Sequence, residues 1–355
     1  MAESSRPWEL HLELELIKQI RRKALALAPC HSLTRPPKGI GDDCAVVIPN
    51  PGNDLLITTD TICEGIHFRL SYFSPLFLGR KLASVNLSDI AAMGGQPRWA
   101  LLNMEVPPDL DKADSSFWQV FFKGLCQRLC QFGAILIGGD TVSAPSDRLS
   151  LSLSLIGEIK TGMACYRSGA KPGDLIYCSG YTGEAACGLT LLENPELMRF
   201  IPGPVRKRLC LKHLDPLPRI SLGTALSKVG VNSLIDTSDG IASDLAHIAE
   251  ESGLRAIVFQ DILPVSRAVR AFCRAYCMKK GDFLQNLPLE YVLFGGEDFE
   301  LIWTISPKLA KIAEQVATEV LGIKPFLLGR MEKGKGCYLD TGLKRIDISF
   351  KGYEH

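Results

Sequence analysis

The sequence predicts an α+β protein of two domains, on three observations. Its 355 residues exceed the roughly 150 typical of one domain. Helical and strand patterns mix in both halves, with antiparallel hairpins among them, which favours α+β over a doubly wound parallel sheet. A polar stretch at 161–172, holding Gly162, Gly169 and a Pro-Gly pair, breaks the pattern and sets domains at 1–160 and 161–355.

The elements follow in chain order. Leucines and isoleucines at helical spacing predict an amphipathic helix over 10–28. After a Pro- and Lys/Arg-containing connector, strands are predicted at 44–48 and 55–59, joined by a Pro-Gly-Asn turn. Residues 76–93 read as a helix stopped by Gly94-Gly95, and 99–106 as a strand. A long helix spans 115–132, with Asp114 placed to cap it. Residues 135–137 form a short buried strand running into Gly138-Gly139-Asp140, and 149–159 alternates Leu and Ser with period two. In the second half, strands are predicted at 174–178, 233–235, 256–259, 300–305 and 326–328. Helices are predicted at 183–192, in the Pro-rich section 195–218, at 222–228, and at 241–251 with Ser238 or Asp239 as its start. Ser306-Pro307 opens a helix to residue 320.

Composition excludes several classes. Net charge is +1, which argues against a global polybasic surface for nucleic acid or membrane but not against a local one. With 46% hydrophobic residues the chain is globular. No stretch approaches about 18 apolar residues free of charge, and the N-terminus has no secretory pattern. Cytoplasm is the expected compartment. Twelve cysteines are too dilute for a disulfide framework, and the i,i+4 pairs Cys126/Cys130 and Cys273/Cys277 lack a completing zinc motif. They read as small buried apolar residues.

The chemistry is written in acidic segments at element ends. These are Gly39-Ile40-Gly41-Asp42-Asp43, Thr58-Thr59-Asp60, Asn86-Leu87-Ser88-Asp89, Gly138-Gly139-Asp140-Thr141, Asp236-Thr237-Ser238-Asp239-Gly240 and Gly295-Gly296-Glu297-Asp298. Glycine lets a phosphate or metal approach the backbone. Carboxylates and hydroxyls are the hard oxygen ligands that Mg²⁺ takes together with water and substrate phosphates. The competing reading is structural: an Asp after a strand is usually a turn or helix cap, and for Asp43 and Asp298 both readings stay open. Asp89 lies in a helix apolar on most faces, where an acid needs a partner. No phosphate loop, dinucleotide fingerprint, protein-kinase pair or nucleophile elbow occurs. Glu64 and His67 stand together before Phe68; packing explains the Phe but not the polar pair.

In this order, the segments resemble the thiamine-monophosphate kinase family. It belongs to a superfamily of ATP enzymes with aminoimidazole ribonucleotide synthetase, selenophosphate synthetase and a hydrogenase maturation protein. The resemblance runs from about residue 14 to 353. It is carried by GIGDD at 39–43, TTDTICEGIHF at 58–68, NLSDIAAMGGQP at 86–97 and IGGDT at 137–141. RSGAKPGD at 167–174, DTSDGIASDLAHIAEESG at 236–253, GGEDFEL at 295–301 and the closing GYEH at 352–355 complete it.

The resemblance implies a kinase moving the γ-phosphoryl of ATP onto thiamine monophosphate directly, by positioning and charge neutralisation. It implies several Mg²⁺ ions on Asp42, Thr58, Thr59, Asp60, Asp89, Asp140, Asp236 and Asp239. Of these, Asp60, Asp89, Asp140 and Asp239 would be closest to the chemistry. Gly139, Asp140, Arg167 and Ser238 would contact ATP, while His67, Glu297 and Tyr353 would contact thiamine monophosphate, whose thiazolium cation suits an aromatic face and a carboxylate. The implied fold is the two-domain synthetase-like one. Its N-terminal α/β domain carries most Mg²⁺ and ATP ligands and packs its strands into a barrel across a homodimer interface. The C-terminal α+β domain completes the site between the domains. Gln96 and Cys63 depart from the usual pattern without removing a ligand. The alternatives are a sister ATP enzyme of the selenophosphate or aminoimidazole ribonucleotide type, and a non-catalytic Mg-nucleotide-binding protein.

Overall fold

In the computed structural model, which describes residues 39–40, 43–108, 110, 115–281 and 286–352, the chain divides into two units. Of the described residues, one unit holds those up to Leu87 together with those between Gln96 and Lys160, and the other holds Ser88–Gly95 and those from Thr161 on. The helix predicted at 10–28 and the cap at Asp114 lie outside the described residues.

The first unit is built on a four-stranded sheet. Its strands are β1 (Asn53–Cys63), β2 (Gln96–Val106), β3 (Ile135–Ser143) and β4 (Ser150–Lys160), in the order β1-β4-β2-β3. β4 runs antiparallel to β1 and β2, and β3 is parallel to β2. The Leu/Ser alternation has its expected cause. Leu151, Leu153 and Leu155 are fully buried while Ser150, Ser152 and Ser154 stand on the other face. Helices α1 (Pro75–Ala92) and α2 (Ser115–Gln131) cross at paired glycines. A Cβ on Gly79 would lie 2.2 Å from the Phe121 carbonyl, and one on Gly124 would lie 2.1 Å from that of Leu76. Larger residues would force these backbones apart.

One strand prediction fails here. Within 44–48 only Val46 makes a bridge, and β1 pairs with β4 rather than with this segment. The alternation is nevertheless real: Ala45 and Val47 pack on the Trp99, Ile135 and Ile137 cluster, while Val46 and Ile48 face solvent. The segment is tied down at Glu158, which accepts from the Asn50 N–H (2.7 Å), the Asn50 amide (2.5 Å) and Arg98 (3.0 Å). Burial alone would raise the Glu158 carboxyl, but these donors outweigh it and hold it below its ordinary value.

The second unit carries a seven-stranded, mostly antiparallel sheet. Its strands are β5 (Leu175–Cys178), β6 (Ser233–Asp236), β7 (Leu254–Phe259), β8 (Leu301–Ile305), β9 (Phe326–Lys333), β10 (Gly336–Asp340) and β11 (Arg345–Asp347). The order is β11-β10-β7-β9-β5-β8-β6, with β10 and β7 parallel. Every residue of β8 is buried, as a strand covered on both faces requires. On one face α6 (Ile241–Glu251) packs Ile241, Leu245 and Ile248 into the core with Ile235, Val258 and Ile302. On the other, Tyr177 stacks on Trp303 and donates to Glu314 of α9 (Ala310–Leu321) at 2.7 Å. Around these lie α3 (Glu184–Glu193), α4 (Gly203–Leu214), α5 (Ile220–Val229), α7 (Arg267–Lys280) and α8 (Leu287–Phe294).

Two helix starts differ from expectation. Gly240, at φ 108°, caps α6, and neither Ser238 nor Asp239 does so. The segment after Ser306-Pro307 first makes a turn, with the Leu309 N–H on the Ser306 carbonyl, and α9 begins at Ala310. Pro suits the second position of such a turn as well as the first of a helix.

Candidate active site

In the first unit the candidate residues follow from strand alternation. Leu56, Thr58, Asp60 and Ile62 share the face of β1 that bears buried Leu56 and Ile62. Thr59 points to the opposite face, where it donates to the Leu153 carbonyl (3.3 Å) and accepts from Ser154 (3.1 Å). Asp140 lies on that outer face too, opposite Asn103, which in turn faces Ser152. The sheet therefore places Thr58 and Asp60 on one side and Thr59 and Asp140 on the other. Asn86 of α1 accepts from the Asp60 N–H at 3.1 Å, which fixes the strand where its carboxylate emerges.

Gly139 and Asp140 line a cavity of about 720 Å³ with Gly39, Asn103 and Ile156. Gly139 has φ 151°, and a Cβ there would sit 1.8 Å from the Leu102 carbonyl. Only glycine fits, and it leaves the backbone of the Gly138-Gly139-Asp140 segment open to a ligand. Asp43 is exposed. His67 is held by its own turn: its Nδ1 accepts from the Cys63 N–H at 3.1 Å, so the neutral ring carries its proton on Nε2. Glu64 is spent on structure, accepting from the Leu149 N–H at 3.3 Å.

In the second unit the Asp236–Gly240 and Gly295–Glu300 segments are zipped together. Thr237 N–H donates to the Glu300 carbonyl (2.8 Å), Phe299 N–H to that of Thr237 (2.9 Å), and Glu297 N–H to that of Ser238 (2.7 Å). Asp236, at the end of β6, is buried and accepts from the Ser88 hydroxyl at 2.6 Å. Ser88 and Asp89 both lie in the last turns of α1, where Asp89 alone among residues 81–92 is not buried. Ser238 and Asp239 are half-buried. Arg167 is exposed on the segment that runs along β6, where Tyr166 accepts from the Leu234 N–H.

The three acids of Gly295–Glu300 have different partners. Asp298 is fully buried and accepts from the N–H groups of Gly183 and Ala185 at the start of α3. Burial pushes its carboxyl up to about 7 against the pull of Lys212 and those two donors. This settles the open reading of Asp298: it is a helix-terminus acid. Glu300 accepts from Lys212 (2.6 Å), from Arg219 (2.8 and 2.6 Å) and from Ser179 (2.5 Å). Burial would raise it, but the two cations outweigh burial and bring it to about 2. Glu297 stays 28% exposed, with Oε2 3.0 Å from His213 Nδ1.

Asp244, on the inner face of α6, is a site residue the sequence reading missed. It is buried and its Oδ2 has no hydrogen-bond partner. Burial first, then the negative charges of Asp236 and Asp239, push its carboxyl well above the ordinary range. The Asp239 N–H and the Arg167 guanidinium pull the other way. An acid between Ile241, Leu245 and Ile248 on an apolar stripe carries the same signal that singled out Asp89. Asn86, Ser88, Lys212, His213 and Arg219 were also missed. Asp42 and Tyr353 lie outside the described residues. Among the described residues no three His, Cys, Asp or Glu side chains converge to hold an ion by themselves.

Comparison with known proteins fits this geometry. The family described as "AIR synthase related protein, N-terminal domain" matches residues 41–159. A curated relative from Buchnera aphidicola subsp. Schizaphis graminum, named thiamine-monophosphate kinase, is 39% identical over 319 residues, covering 90% of this chain and 92% of its own. The crystal structure of thiamine-monophosphate kinase from Stenotrophomonas maltophilia K279a superposes with a TM-score of 0.77 at 32% identity, covering 92% of this chain and 95% of that one. A structure described as AaThiL complexed with AMPPCP and TMP gives 0.69 at 29% identity, covering 97% of both. The architecture of this chain is theirs.

Proposed function

Since the chain belongs to the thiamine-monophosphate kinase family, we propose that it transfers the γ-phosphoryl group of ATP to thiamine monophosphate, giving thiamine diphosphate and ADP. The observation that carries this is similarity over 90% of the chain to a curated enzyme of that name. The terminal phosphate oxygen of thiamine monophosphate attacks the γ-phosphorus, the bond to the β-phosphate oxygen breaks, and ADP leaves. A phosphate monoester has its second ionisation near 6, so the acceptor arrives largely deprotonated and no strong base is needed. That agrees with a sequence rich in oxygen ligands and without a nucleophile motif.

Within this reading Gly139, Asp140, Arg167 and Ser238 contact ATP, and His67, Glu297 and Tyr353 contact thiamine monophosphate. His67 offers Nε2–H, because Nδ1 is engaged by the Cys63 N–H. Residues 1–160 supply most of the metal and nucleotide ligands, and residues 161–355 supply the rest.

The donor set suits Mg²⁺. Asp236, Asp239 and Asp244 repel one another, and the unpartnered Asp244 oxygen marks a cluster that a cation would relieve. Closed cages are not what Mg²⁺ uses; one or two carboxylates per ion, completed by water and phosphate, are usual. The residues to hold several ions are Asp42, Thr58, Thr59, Asp60, Asp89, Asp140, Asp236 and Asp239, with Thr58 and Asp60 on one face of the first sheet and Thr59 and Asp140 on the other; Asp60, Asp89, Asp140 and Asp239 are the residues proposed to serve the chemistry. When bound, Mg²⁺ neutralises the charge on the triphosphate and on the group in flight.

Homodimer assembly through the first sheet belongs to the same reading. Its outer face exposes Leu55, Ile57 and Val142, which supports a second copy there. A cytoplasmic location belongs to the same reading; no helix among the described residues is long and apolar enough to cross a membrane.

The test is ADP and thiamine diphosphate formation from Mg²⁺-ATP, with and without thiamine monophosphate. Product formation that needs both is the expected result. ATP hydrolysis indifferent to thiamine monophosphate overturns the reading.

A further inference from the structure

Among the described residues, Asp244 is the buried acid with an oxygen left unfilled. It lies in the first turn of α6 and is 1% exposed. Its carboxylate accepts from the Asp239 N–H, yet Oδ2 has no hydrogen-bond partner among the described residues. Buried carboxylates that serve the fold have their oxygens filled. Asp298 takes two N–H groups, and Glu300 takes two cations and a hydroxyl.

The charge on Asp244 is also ill placed for folding alone. Burial first, and then the negative charges of Asp236 and Asp239, disfavour its ionised form, against the Asp239 N–H and the Arg167 guanidinium. An asparagine could accept from the same N–H without that repulsion. Two of the three charged neighbours repel the carboxylate and one, the exposed Arg167, attracts it. The charge therefore costs the fold more than an amide would. All three neighbours are residues that the proposed function assigns to metal or ATP.

Asp236, Asp239 and Asp244 do not close on one point: no three such side chains among the described residues converge to hold an ion by themselves. Asp244 therefore reaches an ion through water, and Mg²⁺ keeps several waters. Its bond to the Asp239 N–H holds the backbone of that acid from one side. On the other, a Cβ on Gly352 would meet the Asp239 carbonyl at 2.5 Å, so this peptide has little room to move.

We propose that Asp244 is a positioning residue for the cation: it anchors the Asp239 backbone and accepts, through Oδ2, a hydrogen from a water of the Mg²⁺ held by Asp236 and Asp239. The inference rests on those two acids being metal ligands, as in the proposed function. It gives the unfilled oxygen a donor and the buried negative charge a cation to face. Partners of this kind change metal affinity by about 10–100-fold.

The test titrates free Mg²⁺ against the full chain at saturating AMPPCP and reads the rise in melting temperature. Wild type is compared with Asp244→Asn and Asp244→Ser, each alone and combined with Asp239→Asn. Asp244→Asn is expected to melt in EDTA at or above the wild-type temperature, because its amide oxygen still accepts from the Asp239 N–H and the repulsion is gone. Its Mg²⁺ midpoint is expected to rise at least about tenfold. With Asp239→Asn present, the same change should add less than about threefold. In turnover assays the free Mg²⁺ needed for half-maximal rate should rise in step. KM for thiamine monophosphate at saturating Mg²⁺ should stay within about twofold of wild type.

A Mg²⁺ midpoint within about twofold of wild type overturns the inference. So does an undiminished shift in the Asp239→Asn background. An Asn variant that melts well below wild type in EDTA assigns the charge to the fold and overturns it as well. If Asp244→Asn does not fold, Asp244→Ser is judged by its Mg²⁺ midpoint in the same way. A wild type whose melting temperature ignores Mg²⁺ sinks the metal reading itself, whereas a responsive wild type with an unmoved variant midpoint sinks the role of Asp244 alone.

Discussion

Replacing Glu300 by Gln tests whether charge, rather than shape, fastens the candidate site. Glu300 is buried, and its carboxylate accepts from Lys212, Arg219 and Ser179. Gln keeps the shape and part of the hydrogen bonding but removes the charge that both cations face. The fold lowers this carboxyl from its ordinary 4.5 to about 2, worth about 3 kcal/mol at neutral pH. That agrees with the roughly 3–5 kcal/mol lost when one partner of a buried ion pair is removed. Because the folded state favours the ionised form, the contribution is complete above about pH 5 and is lost as pH falls from 4.5 toward 2. The expected result at pH 7 is a fall of about 6–12 °C in the melting temperature of the second unit. Denaturant titrations at pH 7, 5 and 3.5 should show the gap between wild type and Glu300→Gln narrowing only at the most acid value. Adding Lys212→Met to Glu300→Gln should recover part of the loss by removing one uncompensated cation. A variant as stable as wild type at pH 7, or a gap that stays constant down to pH 3.5, refutes the argument.

Asp89→Asn should cut turnover by well over about tenfold with an unchanged melting curve, since it removes one anionic metal ligand from an otherwise intact helix; wild-type activity would remove Asp89 from the metal set. Gly139→Ala should raise KM for ATP and destabilise the first unit by about 1–3 kcal/mol, because its Cβ would lie 1.8 Å from the Leu102 carbonyl; an unaltered melt with unaltered KM contradicts the close-approach role. His67→Gln keeps an N–H donor at the Nε2 position and should keep thiamine-monophosphate affinity within a few-fold, whereas His67→Asn should lose about tenfold. The reverse order of KM values would show that Nδ1 is the working nitrogen.

The limits of what the sequence reveals are physical and can be located residue by residue. Strand β4 is legible because its sheet has one buried face, so Leu and Ser alternate with the pleat. The same period at 44–48 misleads, because Ala45 and Val47 alternate onto the Trp99 cluster without a partner strand among the described residues. Period two reports a surface with two sides, and pairing is a separate condition. In the site, the acids could be read because glycine and strand ends mark them. Their cationic partners could not. Lys212 and His213 lie on a basic helix that reads as a solvated face, and they meet Glu300 and Glu297 only through tertiary folding.

The Gly295–Glu300 segment shows why this matters for function. Three acids stand within four positions, and no pattern distinguishes them. Position in the fold does so through what already occupies each carboxylate. Two helix N–H groups take Asp298, two cations and a hydroxyl take Glu300, and Glu297 stays partly exposed beside the buried His213 ring. A carboxylate whose oxygens are filled contributes stability; one that is still partly exposed can meet a ligand. Asp244 completes the contrast. It is buried like Asp298 but has an oxygen left over, and after burial the negative charges of Asp236 and Asp239 act on it most. Hydrogen-bond donors fixed by the backbone can satisfy Asp298 permanently. The Asp236, Asp239 and Asp244 group has the Arg167 guanidinium acting on it from within the chain, and in the reading proposed here a phosphate-bound cation adds to that positive charge at this end of the sheet.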